Sequence, residues 1–233
     1  MSFAVRFQRE LPAGMCVAVS LPEDPGFALP PALHPDEAAF VRASPAARRV
    51  TFIGGRVALR TAIAALGAAS GDPTLPILST PRGAPALPSG FVGSISHKHE
   101  VAVAIAARAE PTPRTTIGID VEIPRPLRVD IAPRVLTPGE RAALASLDPA
   151  ARDAEVLFRF AAKEAIYKAL DPWVQRLVSF QEVEIVTAPD GERRARLALA
   201  RGEGPFRVEL HDASGDGLVL IVAAISRASS VID

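Results

Sequence analysis

The chain has 233 residues, enough for one domain or for two compact halves. Hydrophobic residues make up 48% and charged residues 22%, which excludes a disordered or fibrous chain. Lys plus Arg and Asp plus Glu balance at 26 each, so no overall field draws the protein to nucleic acid or to an anionic membrane, and any cationic site is local.

Lysine occurs only at Lys98, Lys163 and Lys168, so arginine is nearly the sole cation and the pair Lys163 and Lys168 stands out. The single cysteine, Cys16, excludes an internal disulfide framework, and the four histidines show no zinc-finger spacing. The longest apolar runs, Val101 to Ala107 and Leu218 to Ile225, fall far short of the ~20 residues of a membrane span. The opening MSFAVRFQRE lacks an uninterrupted signal-peptide core, so a cytoplasmic protein in a reducing compartment is expected.

In chain order, Met15 to Ser20 reads as a strand. Ser44 and Pro45 read as the N-cap and first position of a helix that carries Phe52, Val57, Leu59, Ile63 and Leu66 to a stop at Gly67, with Gly54 and Gly55 weakening its middle. Phe91 to Ser96, Val101 to Ala107 and Thr116 to Ile123 are the next strands, with a linker at 111–115. Thr137, Pro138 and Glu140 predict a capping-box start for a short helix, and Asp148 with Pro149 begins a longer one. Phe180 to Thr187, Ala195 to Ala200, Phe206 to Leu210 and Leu218 to Ile225 complete the strands. The pattern is α+β with antiparallel pairing, in halves 1–110 and 111–233 of similar size but with no repeat visible in the residues.

Three constellations could carry chemistry. On a strand, Asp120 and Glu122 share one face about 7 Å apart, spaced to clamp a hard cation, or simply lie on an ordinary wet face. Glu164 and Lys168 stack one helical turn apart with Lys163 one position round, either as a site or as a solvated salt bridge. Ser96 and His97 end a strand downstream of the loop Pro81 to Pro85, where Arg82 and backbone amides could meet a phosphate, although a lone histidine also fits a plain surface position. No Walker, GxGxxG, GxSxG or CxxC motif occurs.

The stretches GRVALR at 55–60, PRGAPALPSGFVGSISH at 81–97, GIDVE at 118–122 and FAAKEAIYK at 160–168 together resemble the 4′-phosphopantetheinyl transferases of the larger, Sfp/EntD-like class, in the family's order and spacing. The resemblance implies two pseudo-symmetric α/β subdomains in one chain, each a small antiparallel sheet packed with helices, meeting at a cleft. It implies Mg²⁺, or Mn²⁺, held by Asp120, Glu122 and Glu164, and coenzyme A as substrate. His97, Lys163 and Lys168 are then placed at the diphosphate, Arg56, Arg82 and Ser96 at the nucleotide end, and Arg49 is a further candidate there. Glu164 and Lys168 are the expected catalytic residues. The implied activity is transfer of 4′-phosphopantetheine from coenzyme A to a serine of an apo acyl or peptidyl carrier protein, by a monomer. A non-catalytic coenzyme A-binding module and a metal-dependent diphosphate hydrolase are the alternatives. An acidic carrier is expected to dock on Arg125, Leu127, Arg128, Arg134, Leu136 and Arg141.

Overall fold

The computed structural model describes residues 3–23, 33–67, 75–110, 114–125 and 129–228. The chain divides into two compact units, Met1–Glu110 and Pro111–Asp233.

The first unit begins with a hairpin of β1 (Val5–Leu11) and β2 (Gly14–Ser20), followed by helices α1 (Pro35–Ala43) and α2 (Ala46–Ala65) and the hairpin β3 (Phe91–Lys98) and β4 (Val101–Arg108). The sheet runs β1-β2-β4-β3, antiparallel throughout. Alternation puts Val17, Val19, Ala102, Ala104 and Ala106 into a core against Ala58, Leu59, Ala62 and Ile63 of α2. Gly55 is required here rather than a weak point: a β-carbon on it would stand 2.7 Å from Cγ2 of Ile95, so glycine lets the helix lie on the sheet. Ser44 does not cap α2. Its hydroxyl donates back to the Phe40 carbonyl at 2.8 Å, closing α1, and α2 starts without a side-chain cap.

The second unit opens with β5 (Thr115–Glu122), the short helices α3 (Ala132–Val135) and α4 (Pro138–Ala143), and the long helix α5 (Pro149–Val174). Asp148 caps α5 by accepting from the amides of Ala150 and Ala151, both at 3.0 Å. A 3-10 turn at Phe180–Glu182 then leads to β6 (Val183–Thr187), β7 (Arg193–Leu197), β8 (Phe206–Asp212) and β9 (Val219–Arg227). The strand expected from Phe180 therefore begins three residues later, and the one expected at 195–200 lies at 193–197. One sheet runs β5-β9-β8, and β6 and β7 form a separate ribbon. Helix α5 packs on β5 and β9 through Ala161, Ala165, Ile166 and Ala169, with Ile221, Ala223 and Ile225 beneath.

Each unit repeats one plan: a strand, a short helix, a long helix and a hairpin whose last strand inserts between the other two, β2-β4-β3 in the first and β5-β9-β8 in the second. The residues carry the repeat after all. Leu33, His34, Pro35 and Glu37 correspond to Leu136, Thr137, Pro138 and Glu140, and Ser44-Pro45-Ala46-Ala47-Arg48 corresponds to Asp148-Pro149-Ala150-Ala151-Arg152. Both short helices open with a capping box and a proline in the first turn.

Just past the end of α5, Arg176 grips two carboxylates at once. It donates to Glu182 at 3.0 and 2.6 Å and to Glu203 at 2.6 and 3.1 Å. The hydrogen bonds from Arg176, helped by the amides of Ser179 and Ala200, hold the Glu182 carboxyl down at about 2. A depressed carboxyl pKa contributes stability that is present above the unfolded value and lost as pH falls towards the folded one. Glu182→Gln should therefore melt below wild type at pH 7, with the gap closing as melts are repeated from pH 5 down to pH 2.5. A gap that stays constant with pH would contradict this assignment.

Candidate functional site

The site of the second unit is built where α5 crosses β5. Thr116, Gly118, Asp120 and Glu122 occupy the face of β5 turned to the helix: Thr116 Oγ1 donates to the Ala169 carbonyl at 2.6 Å, and Trp173 Nε1 donates to Thr116 at 2.7 Å. The opposite face is buried as well, with Ile117, Ile119 and Val121 all shielded, so the strand has no wet side. Ile123, expected as the last residue of the strand, lies just past it and is half-buried.

Gly118 brings helix and strand together. A β-carbon there would run into the Ala165 carbonyl oxygen and come within 2.8 Å of the Ala169 amide nitrogen, both backbone atoms that cannot swing aside. Gly118→Ala should lose about 3 kcal/mol in urea unfolding, the upper part of the range for overpacking, and should lose activity as α5 lifts from Asp120. A variant as stable as wild type would show that the helix is not seated on this glycine.

With α5 seated, Lys168 reaches across to donate to the Asp120 carboxylate at 2.7 Å and to the Ile119 carbonyl at 2.9 Å. Glu164 lies one turn earlier. Burial pushes its carboxyl up from the ordinary range, and the charges of Asp120 and Glu122 push the same way against Lys168 and Arg134. Asp120 and Glu122 are therefore near enough for their charges to be felt at Glu164, with the Lys168 ammonium bound to Asp120. Among the described residues no three carboxylates, imidazoles or thiols stand close enough to form a finished metal cage, and Lys168 occupies one Asp120 oxygen. The donor set nevertheless fits a hard divalent ion: all three groups are carboxylates, and their mutual repulsion at the half-buried Glu164 is what such an ion relieves.

Lys163 stands elsewhere. Its ammonium is 1% exposed and donates to Glu140 at 2.6 Å, the Val135 carbonyl at 2.8 Å and the Phe180 carbonyl at 3.0 Å. All three of its donors are used inside the unit, so a diphosphate contact does not fit this geometry. Of the docking residues, Leu136 is in the core, Arg125, Arg134 and Arg141 are exposed, and Leu127 and Arg128 lie outside the described residues.

In the first unit Ser96 and His97 fall on opposite faces of β3, Ser96 buried and His97 exposed. Arg82 is exposed at the tip of a tight turn in which Thr80 donates to the Ala84 carbonyl and Gly83 to the Thr80 carbonyl. Arg56 clamps the base of that loop, donating to the Ile77 carbonyl at 2.8 Å and to Ser79 Oγ at 3.1 Å while lying 3.7 Å over the Phe52 ring. Burial lowers its pKa to about 10. Arg49 ties the α1–α2 junction by donating to the Ser44 and Arg42 carbonyls. Glu37 and Glu140 are both buried; the sequence marks Glu140 only as part of a capping box and gives no expectation for Glu37, although the paired motifs around them mark both positions.

Residues 116–223 match the model of the 4′-phosphopantetheinyl transferase superfamily, and residues 36–107 match that of the 4′-phosphopantetheinyl transferase N-terminal domain. The chain is 35% identical over 202 residues to the 4′-phosphopantetheinyl transferase Svp of Streptomyces mobaraensis, covering 83% of this chain and 79% of that protein. It is 36% identical over 181 residues to the 4′-phosphopantetheinyl transferase Npt of Nocardia iowensis, covering 76% of this chain and 74% of that one. A solved holo-(acyl-carrier-protein) synthase from Bacillus anthracis, in complex with CoA (3′,5′-ADP), aligns with a TM-score of 0.41 at 24% identity over 48% of this chain and 96% of that chain. The chain belongs to the 4′-phosphopantetheinyl transferase family.

Proposed function

We propose that this transferase moves 4′-phosphopantetheine from coenzyme A to a serine hydroxyl of an apo acyl or peptidyl carrier protein, releasing adenosine 3′,5′-bisphosphate. The observation that carries it is the set Asp120, Glu122, Glu164 and Lys168 on the facing surfaces of β5 and α5, in a chain of this family. The Glu164 carboxylate takes the serine proton. The serine oxygen bonds to the β-phosphorus as the bond from that phosphorus to the bridging oxygen breaks, and the electron pair leaves with the adenosine bisphosphate. Lys168, tethered by Asp120 and the Ile119 carbonyl, presents its ammonium where that leaving oxygen gains charge. Asp120, Glu122 and Glu164 would hold Mg²⁺ or Mn²⁺, which supplies positive charge against the phosphate oxygens. In the first unit Arg82 and His97 take the phosphates of the nucleotide, with Arg56 stiffening the loop that carries Arg82.

The acceptor is placed by Arg134, which is exposed on α3 and whose charge is felt at Glu164. Arg134→Glu should raise the KM for an acidic carrier several-fold, leave that for coenzyme A unchanged, and flatten the dependence of rate on salt. An unchanged carrier KM at low ionic strength would put docking elsewhere. The transfer itself is tested by chromatography of the small-molecule products with and without carrier. Adenosine 3′,5′-bisphosphate should form in proportion to carrier supplied, whereas its formation from coenzyme A and water alone would replace transfer by hydrolysis.

A further inference from the structure

The lysine beside Glu164 in the KEAIYK stretch is joined to a buried hub. The Glu140 carboxylate accepts not only Lys163 but the amide of Thr137 at 2.8 Å and, on its other oxygen, the amide of Ile185 at 2.8 Å, while Arg159 stands 3.8 Å away. One ammonium and one carboxylate thus join the end of α3, the start of α4, the 3-10 turn and β6 to one side of α5. Phe180 and Val183, which this hub anchors through the Phe180 carbonyl and the neighbouring strand, line with Glu164 and Tyr167 a groove of about 120 Å³.

The first unit contains a related construction, in which the cation on the buried carboxylate comes from a position one turn further along the long helix. Glu37, fully buried, accepts the amide of His34 at 3.1 Å, the amide of Ile77 at 2.6 Å and Arg60 of the long helix at 2.7 Å. Aligning GGRVALR with AAKEAIY puts Arg56 opposite Lys163, and Arg56 likewise donates to a carbonyl, that of Ile77, in the segment after the long helix. There the next residue is Val57 where the second unit has Glu164. The device therefore stands in a unit with no carboxylate at that position, and it belongs to the framework rather than to a ligand set.

We infer that Lys163 is a positioning residue: it binds no phosphate, and through Glu140 and the carbonyls of Val135 and Phe180 it fixes the walls around Glu164 so that this carboxylate stays beside Asp120 and Glu122. The inference rests on the transferase reading for its effect on turnover, but not for its effect on ligand affinity.

The test compares Lys163→Met, Lys163→Arg, Glu140→Gln and the double variant Lys163→Met/Glu140→Gln in the full chain with Mg²⁺. Calorimetry with coenzyme A should give affinities within about threefold of wild type for all four. In the carrier assay kcat should fall by about 10- to 100-fold with KM for coenzyme A little changed, the size found when groups that orient a site are removed. Glu140→Gln should follow the same split, and the double variant should be no worse than the poorer single one. Should Lys163→Met alone fail to fold, the double variant, which leaves neither buried charge without its partner, carries the test. Coenzyme A affinity lowered tenfold or more by Lys163→Met but not by Glu140→Gln would make Lys163 a phosphate ligand and overturn the inference. If wild type modifies no carrier, the transferase reading fails by itself, and the affinities of the variants still decide the role of Lys163.

Discussion

Glu164→Gln should lose at least about 10²-fold in transfer and yet melt at or above the wild-type temperature. The side chain is half-buried near two other carboxylates, so its charge opposes folding in the absence of a counter-ion. The amide keeps the shape and removes both the repulsion and the ability to take a proton. A protein that gives up stability at a carboxylate cluster gives it up for chemistry, and removing the charge should separate the two. Turnover from the carrier assay and a melt by circular dichroism are the measurements. A variant that keeps wild-type turnover would take Glu164 out of the mechanism, and one that unfolds would make it a structural residue.

Glu140→Ala should do the reverse, losing about 3–5 kcal/mol of stability, the usual consequence of removing one partner of a buried pair. Its carboxylate and the Lys163 ammonium are both almost wholly shielded, and its oxygens also satisfy the amides of Thr137 and Ile185. Removing it leaves a buried cation and two buried amides without their acceptor. Burial already presses the Lys163 pKa down, with Glu140 holding it up, so the ammonium has little tolerance for the loss. Adding Lys163→Met to Glu140→Ala should restore much of the difference in urea unfolding. A Glu140→Ala protein within 1 kcal/mol of wild type would show that the hub does not hold the unit together.

Much of this architecture is readable from local residue chemistry. The starts of α4 and α5 follow from Thr137 with Glu140 and from Asp148 with Pro149, because a cap needs only its own few residues. The apolar runs of β2, β3, β4, β5 and β9 are equally plain. Strand β1 is not legible in the sequence because VRFQREL is charged along its length, as suits an edge strand paired on one side only. Helix α1 is short and opens on His34, an unusual cap that accepts from the Asp36 amide through its ring nitrogen.

Within the site, alternation correctly put Asp120 and Glu122 on one face, and helical spacing put Glu164 and Lys168 on another. Spacing along α5 does not say which elements cover the adjacent position, and Lys163, placed at the diphosphate by the resemblance, faces Glu140 instead. Which side of a helix is sealed depends on contacts between residues far apart in sequence, here 23 positions, and no local pattern encodes them. The repeat is hard to see in the residues for a similar reason: it survives at the caps and at the buried hub, and scarcely between them.

The most direct measurement is the mass of an apo carrier protein after incubation with this chain, coenzyme A and Mg²⁺. The carrier should gain one phosphopantetheine group on a serine in wild type and none with Glu164→Gln. A carrier that stays unmodified, with coenzyme A bound and intact or cleaved by water, would contradict the assignment of Asp120, Glu122, Glu164 and Lys168 as a transfer site.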